Sequence, residues 1–182
     1  MNRWFERLIE QTSLARDEIS IQGVLERLTS DAGFSAYAYV SLQPETQTAY
    51  SHYHPEYQHL YLERSYSTVD PVVRDAKIRM EAFAWSMPDQ NSMKGKQKEI
   101  VGEAAAFGIR SGVSIPIAIG WGRLAMLTLS SEKVDCVGKR VINPVLAAAA
   151  IAQVHARLEV LRVDDVPGGG VAGYRRSPVF FR

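Results

Sequence analysis

Asp70 stands immediately before Pro71-Val72-Val73, and Tyr53, Tyr57, Tyr61 and Tyr66 crowd the stretch upstream of it. Two chemistries fit that arrangement. A carboxylate before proline opens a helix: the side chain accepts orphan backbone N–H groups, and proline at the first helical position loses no needed donor. The same carboxylate, facing an aromatic pocket, accepts an N–H from a ligand. Tyr57 and Tyr61 lie one turn apart on a helix that starts at Pro55, so their phenols share a face. Phe83 and Trp85 share one face of a strand, as do Leu124, Met126 and Thr128, with Ser114 opposite across a hairpin. Aromatic walls with a few hydroxyls and one carboxylate suit a largely apolar molecule that carries an amide. The same residues equally suit an aromatic core whose phenols are satisfied by backbone or water.

Other chemistry finds less support. The chain has no G-x-S-x-G, no glycine-rich phosphate loop and no H-E-x-x-H. Cys136, the single cysteine, has no local activating group and reads as a structural thiol. His52, His54 and His59 form the one cluster with metal-like chemistry, but no cysteine or carboxylate accompanies them at ligand spacing, and His155 is distant. They read as solvated histidines on the outer face of a strand. If His52 and His54 face water, the alternation turns Tyr53 inward. The expectation is a protein that is not an enzyme and holds no metal or cofactor.

The elements that must position these residues follow from periodicity. The chain has 182 residues, 46% hydrophobic and 23% charged, with net charge +1. These are the proportions of one soluble globular domain, with no electrostatic footprint for nucleic acid. The lone cysteine fits a reducing compartment, and no signal peptide or membrane-length apolar run is read, so the cytoplasm is expected. Helices are predicted over 2–12, from Asp17 to about Ala32, from Pro55, from Asp70 to about Arg79, over 96–107, and from Asn143 to about Val163. Strands are predicted over 35–43, 48–54, 82–86, 112–119 and 123–131, with Gly120-Trp121-Gly122 as a hairpin turn. Pro116 points to an edge or a bulge. Hairpins flanked by helices give an α/β fold: an α-β-α sandwich around a central antiparallel sheet of about five strands. The domain is expected over 1–163, with 164–182, rich in glycine and proline, as a flexible tail.

Several stretches, in order along residues 1–163, are familiar together: "GF-AYAY" at 33–39, "DPVV" at 70–73, "FGIRSG" at 107–112, "IPI" at 115–117 and "AAAAIAQVHAR" at 147–157. The chain resembles the N-terminal ligand-binding domain of LuxR/TraR-type quorum-sensing regulators. The resemblance implies an α/β/α sandwich that holds an N-acyl homoserine lactone, of 3-oxo-acyl type. It implies that Asp70 accepts the ligand amide N–H and Tyr53 donates to the acyl amide carbonyl. Tyr61 and Trp85 wall the ring and chain, Thr128 helps hold a 3-oxo group through water, and Gly112 allows close backbone approach. Ser114 and Met126 complete the expected lining. Position 57 departs from the family, which usually carries a tryptophan that reaches the lactone carbonyl; here the donor is the phenol of Tyr57.

The family also continues into a helix-turn-helix domain, for which on the order of 60 residues are needed; residues 164–182 have no helical period and cannot supply one. Arg175, Arg176 and Arg182 are too few for a phosphate footprint of their own. The closing helix carries Ala147, Ala150, Ile151, Val154, Leu158 and Leu161, expected to pair with a second copy or with a full-length TraR-type activator while also packing on the sheet. The expected function is inhibition of such an activator by inactive, dominant-negative heterodimers. The other reading is a lactone-binding sensor or sequestering domain that does not act on DNA.

Overall fold

The computed structural model describes residues 1–42, 47–89, 92–120, 123–134 and 142–164. Cys136, Trp121, Gly122 and the expected tail from 165 onward lie outside the described residues. The elements run α1 (Asn2–Ser13), α2 (Glu18–Asp31), β1 (Ala36–Leu42), β2 (Gln47–Ser51), α3 (Pro55–Glu63), a single 3-10 turn (Tyr66–Thr68), α4 (Pro71–Arg79), β3 (Phe83–Ser86), α5 (Gly95–Ala106), β4 (Ser111–Ala118), β5 (Leu124–Ser131) and α6 (Pro144–Asp164). The strands form one antiparallel sheet in the order β2-β1-β5-β4-β3. The architecture is the expected α-β-α sandwich.

Local chemistry starts the helices where the sequence places them. Asp17 caps α2 by accepting from the Ser20 N–H, and His54 and Pro55 open α3. The His54 Nδ1 accepts from the Glu56 N–H and its ring packs 5.3 Å from that of Phe107. His52 lies 3.3 Å from the Glu26 carboxylate and stacks on Tyr37, so both histidines have local partners within the protein. Among the described residues no cluster of three or more metal-capable side chains exists.

Pro116 is not on an edge strand, because β4 lies between β3 and β5. The reason it is tolerated is local: β3 pairs only with residues 111–114, so beyond Ser114 one side of β4 has no ladder for proline to interrupt.

The two faces of the sheet differ. On one, α1, α2 and α6 close over Tyr37, Tyr39, Val113, Ile115, Leu127 and Leu129 to make the main core. Trp4 fixes this layer by donating its indole N–H to the Leu28 carbonyl at 2.6 Å. α6 is joined to it by polar anchors as well: Tyr39 shares a hydrogen bond with His155 Nδ1 at 2.8 Å, and Arg157 donates to the Ala15 carbonyl. On the other face, α3, the 3-10 turn, α4 and α5 form smaller clusters around an unfilled centre.

Two expectations about α6 change here. Ala147, Ala150, Ile151, Val154 and Leu158 are all buried in the chain's own core, and Leu161 packs against it, so this seam is occupied within one molecule. Second, Pro144–Arg162 is long and apolar enough, at mean hydropathy 1.3, to cross a membrane by length and composition alone. Only 28% of that apolar window is buried within the protein. A core position of this kind is costly to truncate: Ile151→Ala is expected to lower unfolding free energy by about 2–5 kcal/mol, measured by urea titration of intrinsic fluorescence.

Candidate functional site

The unfilled centre is a cavity of about 300 Å³ between the sheet and the α3–α4 layer. Period-2 alternation supplies its floor. Along β1, Tyr37, Tyr39 and Ser41 are buried toward the main core, while Ala38, Val40 and Leu42 face the cavity and stay half-buried. Along β5, Met126 and Thr128 face it, with Ala125, Leu127 and Leu129 turned away.

Asp70 sits where α4 begins. Its Oδ1 accepts the Val72 N–H at 2.7 Å, and its Oδ2 accepts the Tyr61 hydroxyl at 2.8 Å. Both chemistries read from the sequence are therefore compatible: with the Val73 N–H as a third donor, the two oxygens keep acceptor capacity for one more. Burial raises the Asp70 carboxyl above the ordinary carboxylate range, opposed by the hydrogen bonds from Tyr61, Val72 and Val73.

Three phenols meet this carboxylate. Tyr61 spends its proton on Asp70, so toward a ligand it is a wall and an acceptor. Tyr53 packs edge-on to Tyr57 at 5.8 Å, and Tyr57 lies 6.0 Å from Tyr61 and 5.5 Å from Phe107. Burial pushes the Tyr53 phenol up to about 12 and raises Tyr57 and Tyr61 well above the usual range, with Asp70 adding to each. All three are neutral donors at physiological pH. Tyr57 is 4% exposed.

Trp85, Ser114 and Thr128 form a chain. The Trp85 indole N–H donates to Ser114 Oγ at 3.0 Å, and Ser114 Oγ shares a hydrogen bond with Thr128 Oγ1 at 2.9 Å. Ser114 is fully buried and does not line the cavity; it supports Trp85 and Thr128, which do. Gly112 is likewise behind the wall. A Cβ there would stand 2.2 Å from the Leu129 carbonyl oxygen and 2.6 Å from Trp85 Cζ2, so the close approaches it permits are those of the β5 backbone and the indole. Tyr66 is fully buried away from the cavity and donates to Glu103 at 2.7 Å.

The cavity thus gathers Tyr53, Tyr57, Tyr61, Asp70, Trp85, Met126 and Thr128. Its remaining wall includes Gln58, whose Nε2 donates to the Tyr53 carbonyl at 2.6 Å and ties α3 to the end of β2. The alternation of β1 carried a signal for Ala38, Val40 and Leu42, opposite Thr128 and Met126 in register. Nothing in the sequence marked Ser65, Ser67 and Thr68, which reach the wall through the 3-10 turn.

A carboxylate and several phenols around an apolar hole are the features by which the family comparison can be judged. The model of the autoinducer binding domain matches residues 17–158. The chain belongs to the autoinducer-binding domains of the LuxR/TraR family. It is 35% identical over 164 residues to the transcriptional activator protein TraR of Agrobacterium vitis, covering 90% of this chain and 70% of that one. Among solved structures, the N-acylhomoserine lactone dependent LuxR family transcription factor CepR2 of Burkholderia cenocepacia superposes with TM-score 0.70 at 18% identity, covering 89% of this chain and 98% of that one. SdiA in complex with octanoyl-rac-glycerol superposes with TM-score 0.68 at 14% identity, over 93% of this chain and 71% of that one. At such identities these structures speak for the fold. The curated relatives are named as transcriptional regulators, not enzymes.

Two measurements test the site as built. Because burial raises Asp70, the folded protein keeps that proton to higher pH than the unfolded chain, so its contribution to stability falls as pH rises through the interval above 3.8. Asparagine caps a helix as well as aspartate. Asp70→Asn is therefore expected to remove that slope and leave the ligand-free protein at least as stable at pH 7, read from urea midpoints between pH 4 and 8. Gly112→Ala is expected to push apart β4 and β5 at Leu129 as well as displace Trp85, and to cost about 3 kcal/mol or more, read by thermal unfolding and the indole emission.

Proposed function

We propose that the cavity binds an N-acyl homoserine lactone of 3-oxo-acyl type, in the cytoplasm, and that the chain acts by pairing. The observation that carries the first half is Asp70: a half-buried carboxylate, fixed by a helix start and by Tyr61, lining an apolar cavity with acceptor capacity left over. An amide N–H of the ligand satisfies it. Tyr53 donates to the amide carbonyl, Tyr57 to the lactone carbonyl, and Thr128 reaches a 3-oxo group through water. A buried hydrogen bond to a charged group contributes about 1.5–3 kcal/mol. Asp70→Asn should thus weaken lactone binding roughly 10- to 150-fold by calorimetry, while the variant keeps its fold. Equal affinity of the two proteins would refute the assignment.

The pairing surface is not the seam read from the sequence, which is filled internally. α6 has a second stripe, Val145, Ala149, Ala152, Ala156 and Val160, at steps of four, three, four and four, and all of it is exposed. Val145 is 77% and Val160 50% exposed. Valines at the ends and alanines between allow two helices to approach closely. A polypeptide of these residues, paired through α6 with a full-length TraR-type activator, leaves that dimer with one DNA-reading head. Dimeric readers depend on two half-sites, so the pair grips its operator weakly. Co-expression should yield a heterodimer on size exclusion and reduce operator binding by the activator. Ala152→Glu, which puts a charge in the stripe, should abolish both effects. Normal operator binding at excess of this chain, together with tight lactone binding, would favour a sequestering domain instead.

A further inference from the structure

Among the described residues that line the cavity, Leu62, Ser65 and Thr68 are the exposed ones, so its mouth lies at the corner between α3 and α4. The chain turns that corner through Ser65, whose φ of 52° lies in the left-handed region, which a non-glycine residue adopts at a cost. One carboxylate grips the chain on both sides of it. Arg64 Nη1 donates to Glu103 Oε1 at 2.6 Å, and the Tyr66 hydroxyl donates to Glu103 Oε2 at 2.7 Å. Arg64 also donates to the Tyr66 hydroxyl at 3.1 Å, which closes the triangle. The Tyr66 ring is fully buried against Ile100 and Val101 of α5. Its carbonyl accepts the Asp70 N–H at 2.8 Å, so the turn runs directly into the site.

We infer that this 3-10 turn is the door of the cavity and that Glu103, a positioning residue, is its latch. The ligand is the lactone of the reading above, on which the kinetic half of the test rests. Opening takes the Tyr66 phenol and the Arg64 guanidinium off their shared acceptor and lets Ser65 leave the left-handed region. Hydrogen bonds to a charged group are among the stronger ones, and two on one carboxylate keep the turn shut. Glu103 is not among the residues that line the cavity, so it adds no contact to a bound ligand. Loss of the latch lowers a barrier common to entry and exit and leaves the contacts of the closed complex as they were. Glu103 therefore governs how fast ligand passes, in both directions, and not how tightly it is held.

Stopped-flow tryptophan emission with 3-oxooctanoyl homoserine lactone tests this, because Trp85 lines the cavity. Glu103→Leu should raise the association and dissociation rate constants together, each about tenfold, and leave Kd within about threefold of its original value. In the ligand-free variant the amide hydrogens of 65–70 should exchange about tenfold faster, with those of β4 and β5 unchanged. If Glu103→Leu loses its cooperative melt, Arg64→Met, at an exposed position, carries both comparisons. A rise in the dissociation rate alone, with Kd weakened by the same factor, would make Glu103 a support of the bound state and overturn the latch. Unchanged rates, or unchanged exchange at 65–70, would overturn it too. Failure of the unmodified protein to bind the lactone would instead overturn the lactone reading and leave hydrogen exchange to decide the latch.

Discussion

The hydrogen bond that the Val72 N–H donates to the Asp70 carboxylate holds the cavity side of this fold in place. It starts α4, and α4 carries Val72, Val73 and Ala76 into the cluster beneath the cavity. The second oxygen fastens Tyr61, and with it one end of the tyrosine row on α3. Burying a carboxylate is unfavourable, as its raised proton affinity shows, and helix N–H groups and a phenol offset only part of that cost. A carboxylate that only capped a helix could sit at the surface at no such cost. Asp70 instead lines the apolar cavity, half-buried between the helix start and Tyr61.

The sheet divides stability from function by face. The face under α1, α2 and α6 is tightly filled, with Leu8, Leu25, Leu28, Ile115, Leu127 and Ile151 essentially inaccessible. That layer supplies a continuous core of the kind that supports a cooperative fold. The opposite face breaks into three small clusters set around the cavity. An unfilled apolar cavity forfeits dispersion contacts along its lining. A ligand that fills it restores those contacts, so occupancy and stability are linked through this face alone.

How much of this was legible in the sequence depends on the type of signal. Alternation in β1 and β5 and the helix starts at Asp17, Pro55 and Asp70 are local, and each element lies within a few residues of its expected place. The aromatic and hydroxyl residues of the site were also readable, since Tyr53, Tyr57, Tyr61, Trp85 and Thr128 stand on element faces set by period. Ser114 and Gly112 show where such reading stops. Period places them beside the site, but only the packing of the Trp85 indole over Gly112 decides that they support the wall and do not form it. The same limit applies to α6, whose apolar residues occupy two stripes. Sequence spacing cannot say which stripe meets the sheet; burial does, and it gives the sheet Ala147, Ile151, Val154 and Leu158.

Strand β2 is where the two faces meet. Ala49 and Ser51 line the cavity, and between them Tyr50 is 6% exposed on the main-core side. Its hydroxyl accepts from Arg162 at 3.2 Å, and that guanidinium, 5.8 Å from the ring, also pairs with Glu18 and Glu159. One edge strand of five residues therefore touches both the cavity and the end of α6. Alternation leaves no slack between these roles. A shift of β2 that moves Ala49 and Ser51 moves Tyr50 with them, because consecutive residues of a strand cannot be displaced independently. β2 thus joins the cavity lining to the charges gathered at Arg162 through adjacent residues.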